Sequence, residues 1–535
     1  MVNNPRNTKR RRVFALLALL MALAFAASAC GGGAATTTTA SATTAAAAGD
    51  ATTAATTTAA TTAPAAASGE IPTLIWFMGT SGTPPTDQAI VEDRLNEISV
   101  EKLGVKVKTI YYTNEQVLLA MTSGENYDIS FTAEWYNNYP VQALAGYFAD
   151  ITDKVQTETP ELYASMPEVV WEGTKVNGKI MAIPVKKDYA AELFWILDKA
   201  LFVDELKMEI PDAMSFYDGE KYMKAAKDAF KAGVPAASKA EYPMHLARSG
   251  VGGIWNMFDM INQDVKIGVS YDYMGTPDEN KILFVPEDKQ MMDYLKAIHR
   301  WYTEGYITPD AMTIEQVPDT EYKAVDSGQG FYGADGIWSG GRGYTVLISK
   351  WGGPNLSTAS IRGALNAFNA KSKNLDLALK YQELVNLDQE YRDILRYGVE
   401  STHWNKTPEG LVQKTDQGRS GYNVWAFSQG SYSLSSVEAT EGVKVDPNMW
   451  KVIFDGYKDI KSTNSIGFSF DPISVEAELA ACGAIYKKYD YGLVTGTLDP
   501  ETEVPKMKAE MESAGLSKII DECQKQYDAF VAAKN

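Results

Sequence analysis

From residue 73 onward the chain alternates short apolar runs with stretches whose apolar residues recur three and four positions apart. Residues 73–78 form a continuous apolar run ended by Gly79, which reads as a buried strand, and 79–85 reads as a loop. Residues 87–103 carry Ile90, Val91, Leu95 and Ile98 at helical spacing, 105–111 alternate as a strand does, and 114–121 predict a helix stopping near Gly124. Residues 127–131 make a third short strand. Strands alternating with helices predict an α/β layer built on a largely parallel sheet. Ligands of such sheets bind at the carboxyl ends of the strands, which points to 79–82 and 134–139 as the cleft.

Further on, Asn177-Gly178 between β-rich runs predicts a hairpin over 176–184. Residues 336–343, with four glycines, read as a loop. Helical spacing returns at 373–385 and, in the tail, at 474–488 and 503–532, and no internal repeat is visible.

The first 68 residues follow different rules. Arg6, Lys9 and Arg10 to Arg12 precede an uncharged apolar run over 13–29, which ends in small residues directly before Cys30. That is the order of a secretory signal with a cysteine at the cleavage point, and it resembles a bacterial lipobox, although Ala27 stands where leucine is commonest. The resemblance implies diacylation of the Cys30 thiol. Of the 35 residues over 34–68, 30 are Ala or Thr, so this segment has almost nothing to bury and reads as a disordered tether. Its root-mean-square reach is roughly 30 Å, and its threonines leave O-glycosylation open.

Residues 69–535 are long for one domain and suit two lobes. The net charge is −18, and without 1–29 it becomes −23, from 45 basic against 68 acidic side chains. So acidic a surface disfavours nucleic acid, anionic lipid and polyanionic ligands, and suits a neutral or cationic one. The 11 Trp and 29 Tyr are many for a soluble domain. Beside Cys30 stand Cys482 and Cys523, each on an apolar helical stripe, open to a disulfide or to two buried thiols.

Four segments in order carry a family resemblance. They are 127–135 followed by Asn137 to Tyr139, then Trp171-Glu172 with 176–179 and 182–184. After them come 396–400 with His403-Trp404, and last 468–472 through Gln526-Tyr527. Over nearly all of 72–535 the chain resembles ABC-transporter extracellular solute-binding lipoproteins of the family 1 type, in particular the LipO-like group of long members. The resemblance implies an α/β, two-lobed, periplasmic-binding-protein-like fold of the maltose-binding-protein type, with a multi-segment hinge. The expected organisation is a signal peptide over 1–29 and a lipidated tether over 30–68. Lobe 1 is expected over 69–186 and about 350–400, lobe 2 over 187–349 and about 401–465, and a helical module packing on the lobes over 466–535. The resemblance further implies a monomer on the extracellular face of the bacterial cytoplasmic membrane. The expected role is capture of a small ligand and its delivery to an ABC permease driven by a separate ATPase, without cofactor or metal. A mono- or oligosaccharide is the first expectation by analogy with family 1 members, since the resemblance itself names no ligand.

Sugars offer apolar CH faces to aromatic rings and hydroxyls to fixed polar groups. On that chemistry Trp135, just past a strand end, is the first stacking candidate, and the mechanism expected has a ligand bridging Trp135 to Trp338 on the other lobe. Glu134, Asn137 and Asn138 are candidate hydroxyl partners or loop caps, and Thr80 and Ser81 follow the first strand. Trp255, Trp404 with His403, and Arg342 complete the set, each with a structural role as its alternative; Arg342 can equally form a surface ion pair. Lys186, Lys187 and Asp188 read as hinge surface. A peptide receptor of the same fold would use Arg342 with Glu134 or Asp335 as a charged clamp, and an adhesion protein would show no closure on any small molecule. A glycoside hydrolase would need two carboxylates about 5–9.5 Å apart. No G-x-S-x-G, H-E-x-x-H or Walker A motif is present, and His245, His299 and His403 share no ligand spacing, so an enzyme is not expected.

Overall fold

The apolar run after residue 72 becomes an interior strand of a five-stranded sheet. We describe the protein from a computed structural model covering residues 70–534 apart from 238, 441, 442, 444, 459 and 461; Cys30, the signal and the tether lie outside these. Strand β1 (Thr73–Gly79) buries Leu74, Trp76, Phe77 and Met78. It pairs in parallel with β2 (Lys106–Tyr112) on one side and with β3 (Ile129–Thr132) on the other. β2 turns Val107, Thr109 and Tyr111 inward and Lys106 and Lys108 outward, the alternation of an edge strand with one wet face. The helix Gln88–Leu103 covers the sheet with Val91, Leu95 and Ile98 and ends at Gly104, whose φ of 64° closes it. β4 (Ala182–Pro184) is the far edge.

The second lobe is built on β5 (Ala191–Asp198), buried at all eight positions because it is central in its own sheet. A small antiparallel sheet, β6 (Phe258–Asn262), β7 (Ile267–Ser270) and β8 (Leu283–Phe284), follows. Then β9 (Val325–Gly330) and β10 (Val346–Asn355) flank β5, both antiparallel to it. β11 (Leu365–Phe368) returns to the first sheet between β3 and β4, giving the order β2-β1-β3-β11-β4. The expected parallel layer is therefore interrupted by one antiparallel strand contributed from nearly two hundred residues downstream of β4 (about 183 by numbering from 182 to 365).

Two large buried cores mark the lobes. One gathers Trp76, Leu95 and Trp171 with Leu356, Tyr381, Tyr422, Trp450 and Ile466. The other gathers Trp195, Trp301 and Trp351 with Phe468, Met507, Cys523 and Tyr527. The chain thus passes between cores three times, between Ala190 and Leu193, between Trp351 and Leu356, and between Ile466 and Phe468. This differs from the expected boundaries in two respects. Residues from 401 to 465 supply Tyr422, Trp450, Ile453 and Tyr457 to the first core rather than the second, since helical spacing marks an apolar face without marking the sheet it covers. The helical module expected to pack on the lobes is an integral part of one of them: the helices Glu476–Val494, Pro500–Ser513 and Leu516–Lys534 complete the second core.

Other local readings are also revised. Asn177 and Gly178, with φ of 49° and 76°, turn the chain between Val176 and Lys179, yet only one bridge forms there, and β4 pairs with β11 instead of completing a hairpin. The glycine-rich segment near 340 is a helix, Ala334–Arg342, terminated by left-handed Gly343. Cys482 and Cys523 are both buried free thiols; burial pushes them up to about 11 and about 12. Among the described residues no helix is long and apolar enough to cross a membrane.

Candidate functional site

A cleft of about 340 Å³ opens between the lobes. Its first wall carries Trp135, Gly363, Phe427 and Tyr432; its second carries Gln329, Phe331 and Trp338. A larger groove of about 820 Å³ is lined by aliphatic side chains such as Ile210, Leu347 and Val452 and by the carboxylates of Glu192, Asp212, Asp335 and Asp446. The smaller cleft is the better candidate for a binding site, because indole faces and polar groups from both lobes meet in it.

Trp135 owes its place to the turn that follows β3. Ala133 donates its N–H to the carbonyl of Tyr136 and accepts from Tyr139, so residues 134–138 project from the sheet end. The indole Nε1 donates to the carbonyl of Gly363 at 2.9 Å, which fixes the ring while leaving the residue 53% exposed. Around it stand Trp425 at 5.7 Å and Phe427 at 6.0 Å between centroids, themselves stacked at 5.5 Å. Gly79 makes this patch possible: a Cβ there would lie 2.9 Å from both Trp425 and Phe131. Thr80 and Ser81 follow at the rim, where Thr80 donates its N–H to Tyr112 and accepts from Gly82, as a turn requires.

Trp338 reaches the cleft from the helix Ala334–Arg342, packing edge-on to Phe194 with centroids 6.4 Å apart. Gly330 at the end of β9 lies directly beneath the indole, since a Cβ would meet the ring at 2.4 Å. Trp135 and Trp338 both line this cleft.

Other candidates lie away from the cleft. Arg342 is buried and holds Asp326 at 2.7 Å, anchoring the helix end to β9, so it supplies no clamp for a charged ligand. Trp404 is buried, donates to the carbonyl of Gly398 and packs on Tyr397 and Val412. His403 is buried between Asp87 and the N–H of Val399. Trp255 lies against the second core with Lys266 over its ring at 4.7 Å. Asn138 caps the helix Tyr139–Leu144, Asn137 is buried with a φ of 49°, and Glu134 turns inward toward Arg362 at 3.6 Å. Burial raises the Glu134 carboxyl, against the lowering effect of Arg362.

Several cleft residues escaped the sequence reading. Lys187 and Asp188, read as hinge surface, line the cleft as an ion pair of 3.4 Å. Burial raises the Asp188 carboxyl, and Lys187 opposes that shift. Trp425, Phe427 and Tyr432 gave one signal, aromatics clustered between Gly421 and Gly430 and just beyond. Gln329 accepts from the Asn256 side chain at 2.8 Å, which sets its amide. Of the cleft-lining residues only Asp188 is a carboxylate. Among the described residues no group of three or more His, Cys, Asp or Glu is arranged to hold a metal ion. The arrangement can stack flat apolar faces and hydrogen-bond neutral polar groups.

Residues 464–532 match the family described as "Domain of unknown function (DUF3502)". A "Carbohydrate ABC transporter substrate-binding protein" of Streptococcus pneumoniae serotype 4 is 24% identical over 486 residues, spanning 88% of this chain and 93% of that protein. The structure is similar to that of the N-glycan transport solute binding protein (NgtS) from Streptococcus pneumoniae. There the TM-score is 0.75 at 23% identity, over 87% of this chain and 100% of that one. It is also similar to an extracellular solute-binding protein from Bifidobacterium longum subsp. infantis, with a TM-score of 0.55 at 16% identity, over 86% and 98%. The fold is the two-lobed one of solute-binding proteins.

Proposed function

We propose that this protein is the extracellular solute-binding component of an ABC importer, closing its two lobes on a neutral oligosaccharide and passing it to a membrane permease. The observation that carries this reading is the aromatic cleft, with Trp135 and Phe427, both packed on Trp425, on one lobe opposite Trp338 on the other. Pyranose rings present apolar faces of the size and flatness that indoles cover. The one cation–anion pair in the wall, Lys187 with Asp188, is internally balanced and favours an uncharged ligand. The carbohydrate transport named for the pneumococcal relative, and the N-glycan transport named for its structural counterpart, support the same substrate class.

Closure follows from linkage: a ligand favours the closed form only by the difference in its affinity for the two forms. Trp135 and Trp338 belong to different lobes, so a sugar touching both has that difference built in. Lys187 and Asp188 stand just before the first crossing, so a hydroxyl bound there pulls on the hinge itself. Export through the signal over 1–29, lipidation at Cys30 and a flexible tether over 30–68 would hold the protein near its permease. Cleavage of a glycosidic bond takes two flanking carboxylates, whereas this wall carries Asp188 alone. A peptide clamp at Arg342 is not favoured, because its guanidinium is bound to Asp326.

Thermal unfolding in the presence of mono-, di- and oligosaccharides, short peptides and amino acids tests this directly. A ligand at a hundred times its Kd stabilises by about 2.7 kcal/mol. Stabilisation by saccharides is the expected result; stabilisation by peptides alone, or by nothing in the set, overturns the sugar assignment.

A further inference from the structure

The second and third crossings meet at a small polar cavity of about 120 Å³, separate from the cleft. Glu134, Thr358 and Arg362 line it from the first lobe, Asp259 from β6 of the second, and Ser465 and Ser469 from the third crossing. Asp259 is 2% exposed, and its Oδ2 accepts from the hydroxyls of both Thr463, at 2.6 Å, and Ser465. Thr358 donates to the carbonyl of Ser465 and accepts from the N–H of Gly467, and Leu356 bridges Ser462, so the two crossings are stitched together. Arg362 adds donors to the carbonyls of Gly173 and Lys175 and to Ser469. Glu134 and Arg362 adjoin Trp135 and Gly363, the hydrogen-bonded pair of the cleft wall.

We propose that Asp259 is a proton-controlled tie at the hinge: ionised, it holds the third crossing to the second lobe through Thr463 and Ser465, and protonated, it releases that crossing and widens the range of lobe angles. An ionised carboxylate only accepts, which suits two hydroxyl donors converging on one oxygen. A protonated one brings a donor of its own that competes with them. Such charge-assisted bonds are roughly twice as strong as neutral ones. The groups facing Asp259 are Arg362 and Glu134 across the cavity, Tyr271 beside the second crossing and Tyr527 on the last helix. Both tyrosines are held well above their usual range by burial and stay neutral in mild acid. Burial raises Asp259 itself to about 6, against the lowering effect of Ser465, Thr463 and Arg362, so it titrates in a range that an envelope protein meets.

The consequence for capture rests on the two-lobed solute-binding reading, but the test needs no sugar, so the two can fail separately. Nitroxide labels at Leu119→Cys on the first lobe and Lys289→Cys on the second, both at exposed positions, report the interlobe distance by pulsed dipolar spectroscopy, with Cys30→Ser removing the competing thiol. A narrow distribution at pH 7.5 that broadens at pH 5 is expected, with Asp259→Asn broad at both. Ser465→Ala, which leaves the carboxylate in place, is expected to broaden the pH 7.5 distribution and serves if the Asn variant does not fold. A parent distribution unchanged between the two pH values overturns the proposal. An Asp259→Asn protein that keeps the parent's pH step also overturns it.

Discussion

The indole N–H of Trp135 and the carbonyl of Gly363 are 228 residues apart in sequence and 2.9 Å apart in the structure. Their bond turns a half-exposed ring into a rigid platform. Trp135→Ala is expected to weaken saccharide binding by about 1–3 kcal/mol, the range for losing a stacked aromatic face. Trp135→Phe keeps a ring but not the bond, so it is expected to fall between Ala and the parent. Isothermal titration with the stabilising saccharide measures both, and an unchanged affinity in Trp135→Ala removes the residue from the site.

Gly330 is required by its neighbour rather than by its own backbone. In Gly330→Ala the new methyl meets Trp338 at 2.4 Å, and the ring must leave its seat. Overpacking of this kind costs about 1–3 kcal/mol. The expected outcome is a folded protein with altered tryptophan fluorescence and saccharide affinity reduced by tenfold or more. Parent affinity would show that Trp338 does not touch the ligand.

Arg342 and Asp326 are both largely buried, and Lys323 also faces Asp326, at 3.3 Å. Removing Arg342 leaves the largely buried Asp326 with Lys323 alone, so the cost is expected to stay below the roughly 3 kcal/mol of a fully unpaired buried charge. Arg342→Met is therefore expected to lower the urea midpoint of unfolding. A variant that keeps its stability but loses binding of a free dipeptide would return the guanidinium to a ligand-binding role.

The sign of the pH dependence at Asp259 follows from its direction of shift. The folded value, about 6, lies above the ordinary 3.8, so the folded state holds this proton more tightly. The resulting stability is fully present below about pH 3.8 and is lost as pH rises through about 6, roughly 3 kcal/mol in all. Asp259→Asn lacks this loss. Denaturant unfolding at pH 4 and pH 7 is expected to show the parent falling behind the Asn variant by about that amount at the higher pH. Parallel behaviour of the two proteins would mean that the carboxyl titrates in its ordinary range.

Much of the first lobe was legible in the sequence because its elements are local. The run over 73–78, the spacing of Val91, Leu95 and Ile98, and the alternation over 105–111 each mark an element within one or two residues of its observed bounds. Trp135 and Trp338 could be chosen by chemistry, as aromatics beside polar or glycine-rich turns. Partnership was not legible. From sequence Arg342 is a donor fork or a surface ion pair; the ion pair is what forms, but buried, and nothing local names Asp326, sixteen residues earlier on β9, as its partner. Trp404 looked available until Tyr397 and Val412 closed around it. Lys187 and Asp188 resembled a solvated charge run because nothing local reveals that a crossing forms the floor of a cleft. Gly79, visible as a strand terminator, gave no sign of the Trp425 ring that rests on it.

The make-up of the second core sets the order in which the two lobes can close. Trp195 and Trp301 share their interior with Met507, Leu516, Ile519 and Tyr527, so every shorter stretch of the chain leaves that interior open. A polypeptide emerging amino end first cannot seal its second half until almost the last residue has appeared. The first core is complete by Ile466, so the first lobe can close while the second waits for the helix Leu516–Lys534.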